Sequence, residues 1–128
     1  MSPKPKVLVV DDEEAIQLAM KDYLETRGYE VDCAGGLDDA EALVDSVRYQ
    51  VVIVDLRLSA AEQAGGLRLL RYVRQSSPDT RTVLLTAYGS PEAEAEARRI
   101  GVDALLAKSD GLGEVAAVLR GLSTRGAS

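Results

Sequence analysis

The sequence predicts an α/β domain built on a doubly wound parallel sheet. Short apolar runs alternate along the chain with segments whose apolar residues recur at helical spacing. The runs are hydrophobic on both faces, which is typical of parallel strands that helices cover on both sides. Five strands that alternate with five helices need crossover connections, and right-handed crossovers place helices on both faces of the sheet. The strand-like runs lie at 6–10, 29–34, 50–55, 80–86 and 103–107.

The predicted helices follow the strands in turn. They lie at about 12–27, 37–47, 66–75, from Pro91 to Gly101, and at about 112–122. Gly28 and Gly101 are expected to end the first and fourth helices, because glycine is common just beyond a helix carboxyl terminus. Ser90 is expected to cap the fourth helix, with Pro91 at its first position. Residues 123–128 are predicted to form a frayed tail.

Length and composition indicate one domain at 1–128, with a core at about 6–122. The chain has no Phe and no Trp, so its core must be aliphatic. The formal net charge of −6 argues against a nucleic-acid surface, which would need a basic face. The single Cys33 cannot form an internal disulfide, which fits a reducing compartment. The first ten residues contain no apolar run long enough for a signal peptide or a membrane span, so a cytoplasmic protein is expected.

The absence of histidine narrows the chemistry of the chain. It excludes Ser-His-Asp and Cys-His catalysis, zinc sites with histidine ligands, and a phosphohistidine on this chain. The single cysteine excludes a cysteine-rich metal site. Carboxylate, hydroxyl and lysine chemistry remain.

Charged and hydroxyl residues stand where four of the apolar runs end. They are Asp11 and Asp12, Asp55, Thr86, and Lys108. Singly, each has an ordinary explanation as a helix cap, a turn residue or a surface charge. Ligands of open parallel sheets bind outside the carboxyl ends of the strands, where these residues are expected to converge.

Three converging carboxylates would repel one another unless a cation lay between them, and Mg²⁺ is the expected ion. One carboxylate could then act as the nucleophile toward a phosphoryl group. The lysine ammonium, the threonine hydroxyl and nearby backbone N–H groups would neutralise the phosphoryl oxygens. The sequence therefore predicts a metal-assisted phosphate site.

These residues resemble the receiver domain of two-component response regulators over about 6–122. Four segments match its signatures in order: Val7-Leu8-Val9-Val10-Asp11-Asp12-Glu13, Val51-Val52-Ile53-Val54-Asp55-Leu56, Leu84-Leu85-Thr86-Ala87-Tyr88-Gly89 and Ala107-Lys108. The resemblance implies a flavodoxin-like (βα)5 fold with strand order 2-1-3-4-5. It also implies a phosphorelay switch that is not an enzyme beyond its own phosphoryl transfer and dephosphorylation.

The resemblance assigns a role to each site residue. Asp55 would be the phosphoacceptor, and Asp11, Asp12, Asp55 and the backbone carbonyl of Arg57 would bind Mg²⁺. Thr86, Ala87 and Lys108 would bind the phosphoryl group and take part in switching. Arg57 and Tyr88 would tune dephosphorylation, and their bulk implies a long-lived phosphorylated form.

The resemblance also implies two kinds of partner: a histidine kinase or phosphotransfer protein, and a downstream protein or output domain. Partner binding or a homodimer would use helix four, strand five and helix five, without nucleic acid or membrane contact.

Several positions depart from the family pattern. Ser59 stands where proline is usual, and residues 59–66 are expected to form a longer loop before the third helix. Ser109 replaces the proline that normally follows the lysine, so this peptide bond could be trans and Lys108 could be aimed differently. Leu105 stands at the position of the family's switch aromatic, so switching cannot rely on a buried ring.

Two other functions stay open at this point. The departures at Leu105, Ser109 and 59–66 favour a pseudo-receiver, a binding module that works without phosphorylation. Intact acids, threonine and lysine argue against it. The second alternative is an aspartyl-phosphate phosphatase of the haloacid-dehalogenase type. That class needs an acid two residues after its nucleophile, where this chain has Arg57.

Overall fold

The structure is a computed structural model, and it describes residues 4–56, 60–86, 91–107 and 110–127. Strands and helices alternate through all ten elements. Their bounds are β1 Lys6–Val10, α1 Glu14–Glu25, β2 Glu30–Ala34, α2 Leu37–Ser46, β3 Val51–Leu56, α3 Ala60–Ser76, β4 Arg81–Thr86, α4 Pro91–Ile100, β5 Ala104–Ala107 and α5 Gly111–Ala127.

The five strands form one parallel sheet in the order β2-β1-β3-β4-β5, which confirms the predicted fold class and strand order. Strand β1 pairs with both β2 and β3, and β4 pairs with both β3 and β5. Val10 is aligned with Val54, and Asp55 with Leu85. The register therefore brings the carboxyl ends of β1, β3 and β4 to one edge of the sheet.

Alternate residues of each strand build two separate cores. One face of the sheet packs against α2, α3 and α4, with Val52, Val54 and Leu84 at the centre of that layer. The other face packs against α1 and α5, with Val51 and Ile53 at its centre. Because both faces are covered, β3 has to be apolar from Val51 to Val54, as the sequence predicted.

The third helix begins earlier than predicted. Residues 60–66 belong to α3, so the prediction of a longer loop at 59–66 is wrong for the part of it that the structure describes. Alanine, glutamate and glutamine are among the best helix formers, and Ala60-Ala61-Glu62-Gln63-Ala64 contains no residue that would stop a helix. The following glycines weaken a helix without ending it, because their backbone N–H groups remain available.

The ends of α1 and α4 agree with the predicted stop signals. Gly28 and Gly101 have φ values of 96° and 91°. The N–H groups of Tyr29 and Val102 donate to the carbonyls of Leu24 and Ala97, as in a Schellman cap. Ser90, the predicted cap of α4, lies outside the described residues.

Helix α5 continues to Ala127, whereas the sequence predicted an end near 122 and a frayed tail at 123–128. No proline follows Leu122, so nothing in the backbone interrupts the helical hydrogen bonds. In the described part of the chain, none of the helices has the length and apolar character that spanning a bilayer requires.

We predict that Leu70→Ala lowers the free energy of unfolding by about 2–5 kcal/mol, because it opens a cavity under α3. Leu70 is 0% exposed, in the core beneath α2, α3 and α4. Leu18→Ala is the matched control, because Leu18 on α1 is 55% exposed. Urea unfolding followed by circular dichroism measures both variants. A Leu18 effect as large as that of Leu70 would contradict this account of the core.

Candidate functional site

The three predicted acids meet at one cavity at the carboxyl edge of the sheet. Asp11 and Asp12 directly follow β1, and Asp55 stands near the end of the neighbouring strand β3. All three line a cavity of about 250 Å³, together with Val10, Val54, Leu37 and three glycines. The structure therefore brings together the acids that sequence reasoning expected to converge.

These carboxylates differ in their access to water. Asp11 is only 2% exposed, whereas Asp12 is exposed. Both carboxylate oxygens of Asp55 are buried, and so is Oδ2 of Asp11. Burial of an ionised carboxylate is costly, and a second carboxylate nearby adds repulsion. Such a site favours ligands that bring positive charge.

Glycines give the backbone close access to this cavity. Gly35 and Gly36 follow β2, and Gly66 lies in the early part of α3. The neighbouring Gly65 packs against α2, because a Cβ at this position would lie 2.3 Å from Cδ1 of Leu37. The Gly65-Gly66 pair therefore lets α3 approach α2 and the acids closely. Sequence reasoning treated this pair only as the end of a loop, although two adjacent glycines were the signal for close packing.

Three hydrogen bonds hold the loop that carries Asp11. Its N–H donates to the carbonyl of Ala34 at 3.0 Å, which ties the loop to β2. Its Oδ1 accepts the N–H of Glu13 at 2.8 Å. Its carbonyl accepts the side-chain amide of Gln17 at 2.5 Å, which ties the loop to α1. The sequence analysis missed Gln17, because no local pattern indicates that its side chain bonds to a backbone carbonyl six residues earlier in the chain.

Cys33 adds a contact behind the same loop. Its thiol donates to the carbonyl of Gln17, with an Sγ–O distance of 3.6 Å. Burial raises the pKa of the Cys33 thiol, and Lys21 opposes that shift. The thiol is therefore protonated at neutral pH and acts as a hydrogen-bond donor between β2 and α1.

Thr86 lies at the same edge of the sheet as the acids. It ends β4, is buried, and is aligned with Leu56 of β3 on one side and Ala107 of β5 on the other. The N–H of Ala107 donates to the carboxylate of Asp110 at 3.0 Å, which anchors the start of α5. Lys108 immediately follows Ala107 in the chain.

Four of the predicted site residues, and the two loop serines, lie outside the described residues: Arg57, Ala87, Tyr88, Lys108, Ser59 and Ser109.

Leu105, at the switch-aromatic position, is partly buried and packs against the core of the α2, α3 and α4 layer. It is aligned with Leu84 of β4, two residues before Thr86. An aliphatic side chain in this place has no hydroxyl or ring that could exchange between two hydrogen-bonded positions. Coupling to Thr86 therefore cannot rely on an aromatic ring at this position.

Asp55 also borders a second cavity, on the other side of the sheet. This cavity has a volume of about 310 Å³ and lies between α1 and α5. Apart from Asp55 it is lined by apolar residues and glycine: Ala15, Ile16, Ala19, Met20, Leu85, Ala107, Gly111, Leu112 and Val115. The Asp55 carboxylate thus has an acidic cavity on one side and an apolar wall on the other.

The acids do not form a complete metal cage on their own. Over the described ranges 4–56, 60–86, 91–107 and 110–127, no three acidic or cysteine side chains are arranged to hold a metal ion. Mg²⁺ usually takes one or two carboxylates and fills its other positions with water and phosphate oxygens. A donor set of this kind, hard oxygens around an open cavity, fits that ion.

Comparisons with known proteins identify the family. A family model described as the response regulator receiver domain matches residues 7–120. The transcriptional regulatory protein PmrA of Pectobacterium parmentieri is 34% identical over 120 residues, which make up 94% of this chain and 53% of PmrA. The chain spans about half the length of the curated relatives it matches.

Two solved structures share both the fold and part of the sequence. A response regulator protein from Burkholderia pseudomallei with a phosphorylated aspartic acid, calcium ion and citrate is 32% identical, with a TM-score of 0.80 over 90% of this chain and 66% of that one. The response regulator protein TrrA from Thermotoga maritima, in complex with Mg(2+)-BeF, is 29% identical. Its TM-score is 0.79, and the match covers 92% of this chain and 98% of that one. The chain described here belongs to the response regulator receiver domain family of two-component signal transduction.

Proposed function

We propose that the chain is a phosphorylation switch whose acceptor is Asp55. The observation that carries this proposal is the buried Asp55 carboxylate at the end of β3, in a cavity shared with Asp11 and Asp12. The similar protein from Burkholderia pseudomallei has a phosphorylated aspartic acid, which supports the same chemistry here. We further propose that residues 1–128 form a single receiver domain.

In the proposed reaction, a carboxylate oxygen of Asp55 attacks the phosphorus atom of the donor. The new bond joins this oxygen to phosphorus, and the bond from phosphorus to the donor's histidine nitrogen breaks. The donor imidazole, which carries a proton on its other ring nitrogen, keeps the electron pair of the broken bond and so returns to neutral histidine. Buried surroundings favour this step, because fixed groups replace water around the charges that move.

Mg²⁺ is the proposed cofactor. The metal, when bound, neutralises phosphoryl oxygens and the acids around them. Asp11, Asp12, Asp55 and the backbone carbonyl of Arg57 are the proposed ligands. The complex of TrrA with Mg(2+)-BeF supports a divalent ion in this family. Thr86, Ala87 and Lys108 are the proposed donors to the phosphoryl group on its other side.

The proposed partners follow from this chemistry. A histidine kinase or phosphotransfer protein supplies the phosphoryl group, and a downstream protein or output domain reads the phosphorylated state. Family membership supports a signalling role over the phosphatase alternative. The pseudo-receiver remains the second candidate function, and Leu105 is the structural feature that favours it.

We predict that the parent chain gains the mass of one phosphoryl group after incubation with acetyl phosphate and Mg²⁺, and that Asp55→Asn gains none. Intact mass spectrometry measures both. Asp79→Asn is the matched control, because Asp79 is exposed in the turn before β4 and should leave labelling unchanged. If the folded parent gains no mass, the pseudo-receiver becomes the better description of this chain.

We predict that Gln17→Leu weakens Mg²⁺ binding by about tenfold, because groups that position metal ligands commonly contribute this much. The substitution removes the hydrogen bond that holds the Asp11 carbonyl. Isothermal titration calorimetry measures the affinity without any phosphoryl donor. Gln75→Leu, on the exposed face of α3, is the control. Equal Mg²⁺ affinities in the two variants would show that Gln17 does not position the acidic loop.

We predict that the phosphorylated form is long-lived, because Arg57 and Tyr88 place bulky side chains at the positions that tune dephosphorylation. After removal of acetyl phosphate, the parent should lose its label slowly, and Arg57→Ala and Tyr88→Ala should lose it faster. Intact mass as a function of time measures the decay. Rapid decay of the parent, unchanged in both variants, would rule out this role.

A further inference from the structure

The carboxyl-terminal halves of α3 and α4 carry a basic cluster on an otherwise acidic protein. Five of the eleven arginines of the chain lie on these two helices, whereas the net charge of the whole chain is −6. The cluster consists of Arg68, Arg71, Arg74, Arg98 and Arg99, and Glu96 is the acid that bonds to two of them.

A cavity of about 260 Å³ separates the two helices at this place. Three of the arginines line it, with Gln75 and Glu96, and Ile100 supplies the apolar part of its lining. The side chains of Arg71 and Arg99 are 50% and 70% exposed, so a partner can reach them. Both helices run away from the carboxyl ends of the strands, so this groove lies toward the end of the domain remote from the acidic cavity.

The groove already binds a carboxylate within the protein. Glu96 accepts a hydrogen bond from Arg71 at 2.7 Å, and from the Nη2 and Nε of Arg99 at 2.7 and 3.0 Å. The hydrogen bonds from Arg99 and Arg71 lower the pKa of Glu96, so this carboxylate is ionised at neutral pH. Glu96 therefore holds two guanidinium groups in place while leaving some of their N–H donors for other acceptors.

Arg74 adds a third guanidinium beside the same groove. Its Nη2 would lie 3.5 Å from a Cβ on Gly101, so the group rests against the carboxyl end of α4. Compensation of the helix dipoles explains arginines in the last turns, such as Arg74, Arg98 and Arg99. It does not explain Arg68 and Arg71, which stand further back along α3. Arg68, Arg71 and Arg74 recur every third residue and so follow one side of the helix.

We propose that the groove between α3 and α4, which Arg71, Arg74 and Arg99 of this cluster line, is a docking surface for an acidic helix of a partner protein. A helix that carries glutamates three or four residues apart presents carboxylates at the spacing of Arg68, Arg71 and Arg74, which spans about 9 Å. Guanidinium forks match carboxylates in geometry as well as in charge.

A short acidic helix suits this surface better than a long polyanion. Exposed acids occupy the neighbouring helix α2, including Asp38, Asp39 and Asp45. A nucleic acid that extended beyond the groove would meet their negative charge, whereas a short helix would stay within the basic area. Because the arginines are solvent-exposed, the contact should be weak and sensitive to salt.

The test is a titration of the 15N-labelled 128-residue chain with a synthetic helical peptide that carries glutamate at positions i, i+3 and i+7. Amide resonances of α3 and α4 should shift, and added salt should weaken the binding. The double variant Arg71→Gln/Arg99→Gln should lower the affinity by at least about fivefold. Arg27→Gln/Arg48→Gln removes the same charge from exposed sites outside the groove and should change the affinity by less than about twofold.

Parallel titrations with sodium pyrophosphate and with a short DNA duplex separate this surface from a general anion site. The proposal is overturned if the peptide causes no shifts, or shifts outside α3 and α4. It is also overturned if both double variants bind alike, or if pyrophosphate or DNA binds the same residues more tightly than the peptide does. None of these outcomes depends on phosphorylation of Asp55.

Discussion

The burial of β3 on both faces is the constraint on which the rest of the structure depends. Val51 to Val54 are covered by α3 and its neighbours on one side and by α1 and α5 on the other. A strand in this position has no polar face, so its first polar side chain can stand only where the strand leaves the core. Asp55 is that residue, and the parallel register brings Asp11 from the neighbouring strand to the same edge.

The acids at this edge of the sheet concentrate negative charge at a place where little water reaches it. The Asp55 carboxylate has an apolar wall on one side and two further acids around the cavity on the other. The proposed cation would offset the repulsion, and the proposed phosphoryl group would change the charge at the end of β3. Since Thr86 ends the adjacent strand β4, a change at Asp55 has a short path to β4 and β5.

Helix α3 runs between two chemically different regions of the layer that α2, α3 and α4 form. Its early turns, with Gly65 and Gly66, pack against α2 and border the acidic cavity. Its carboxyl-terminal half carries Arg71, which forms an ion pair with Glu96 of α4. The same helix therefore contributes to the proposed phosphorylation site at one end and to the proposed docking groove at the other. A tilt of α3 would affect both.

The sequence by itself determined the alternation of strands and helices, the aliphatic core and the convergence of Asp11, Asp12 and Asp55. These features follow from local periodicity and from the cost of burying an ionised side chain inside a strand that helices cover on both faces. Only the tertiary structure decided that Gln17 holds the Asp11 carbonyl and that Arg71, Arg74 and Arg99 share one groove. These two arrangements depend on how separate elements pack against each other. A local sequence pattern describes one element at a time, so it does not predict contacts between elements.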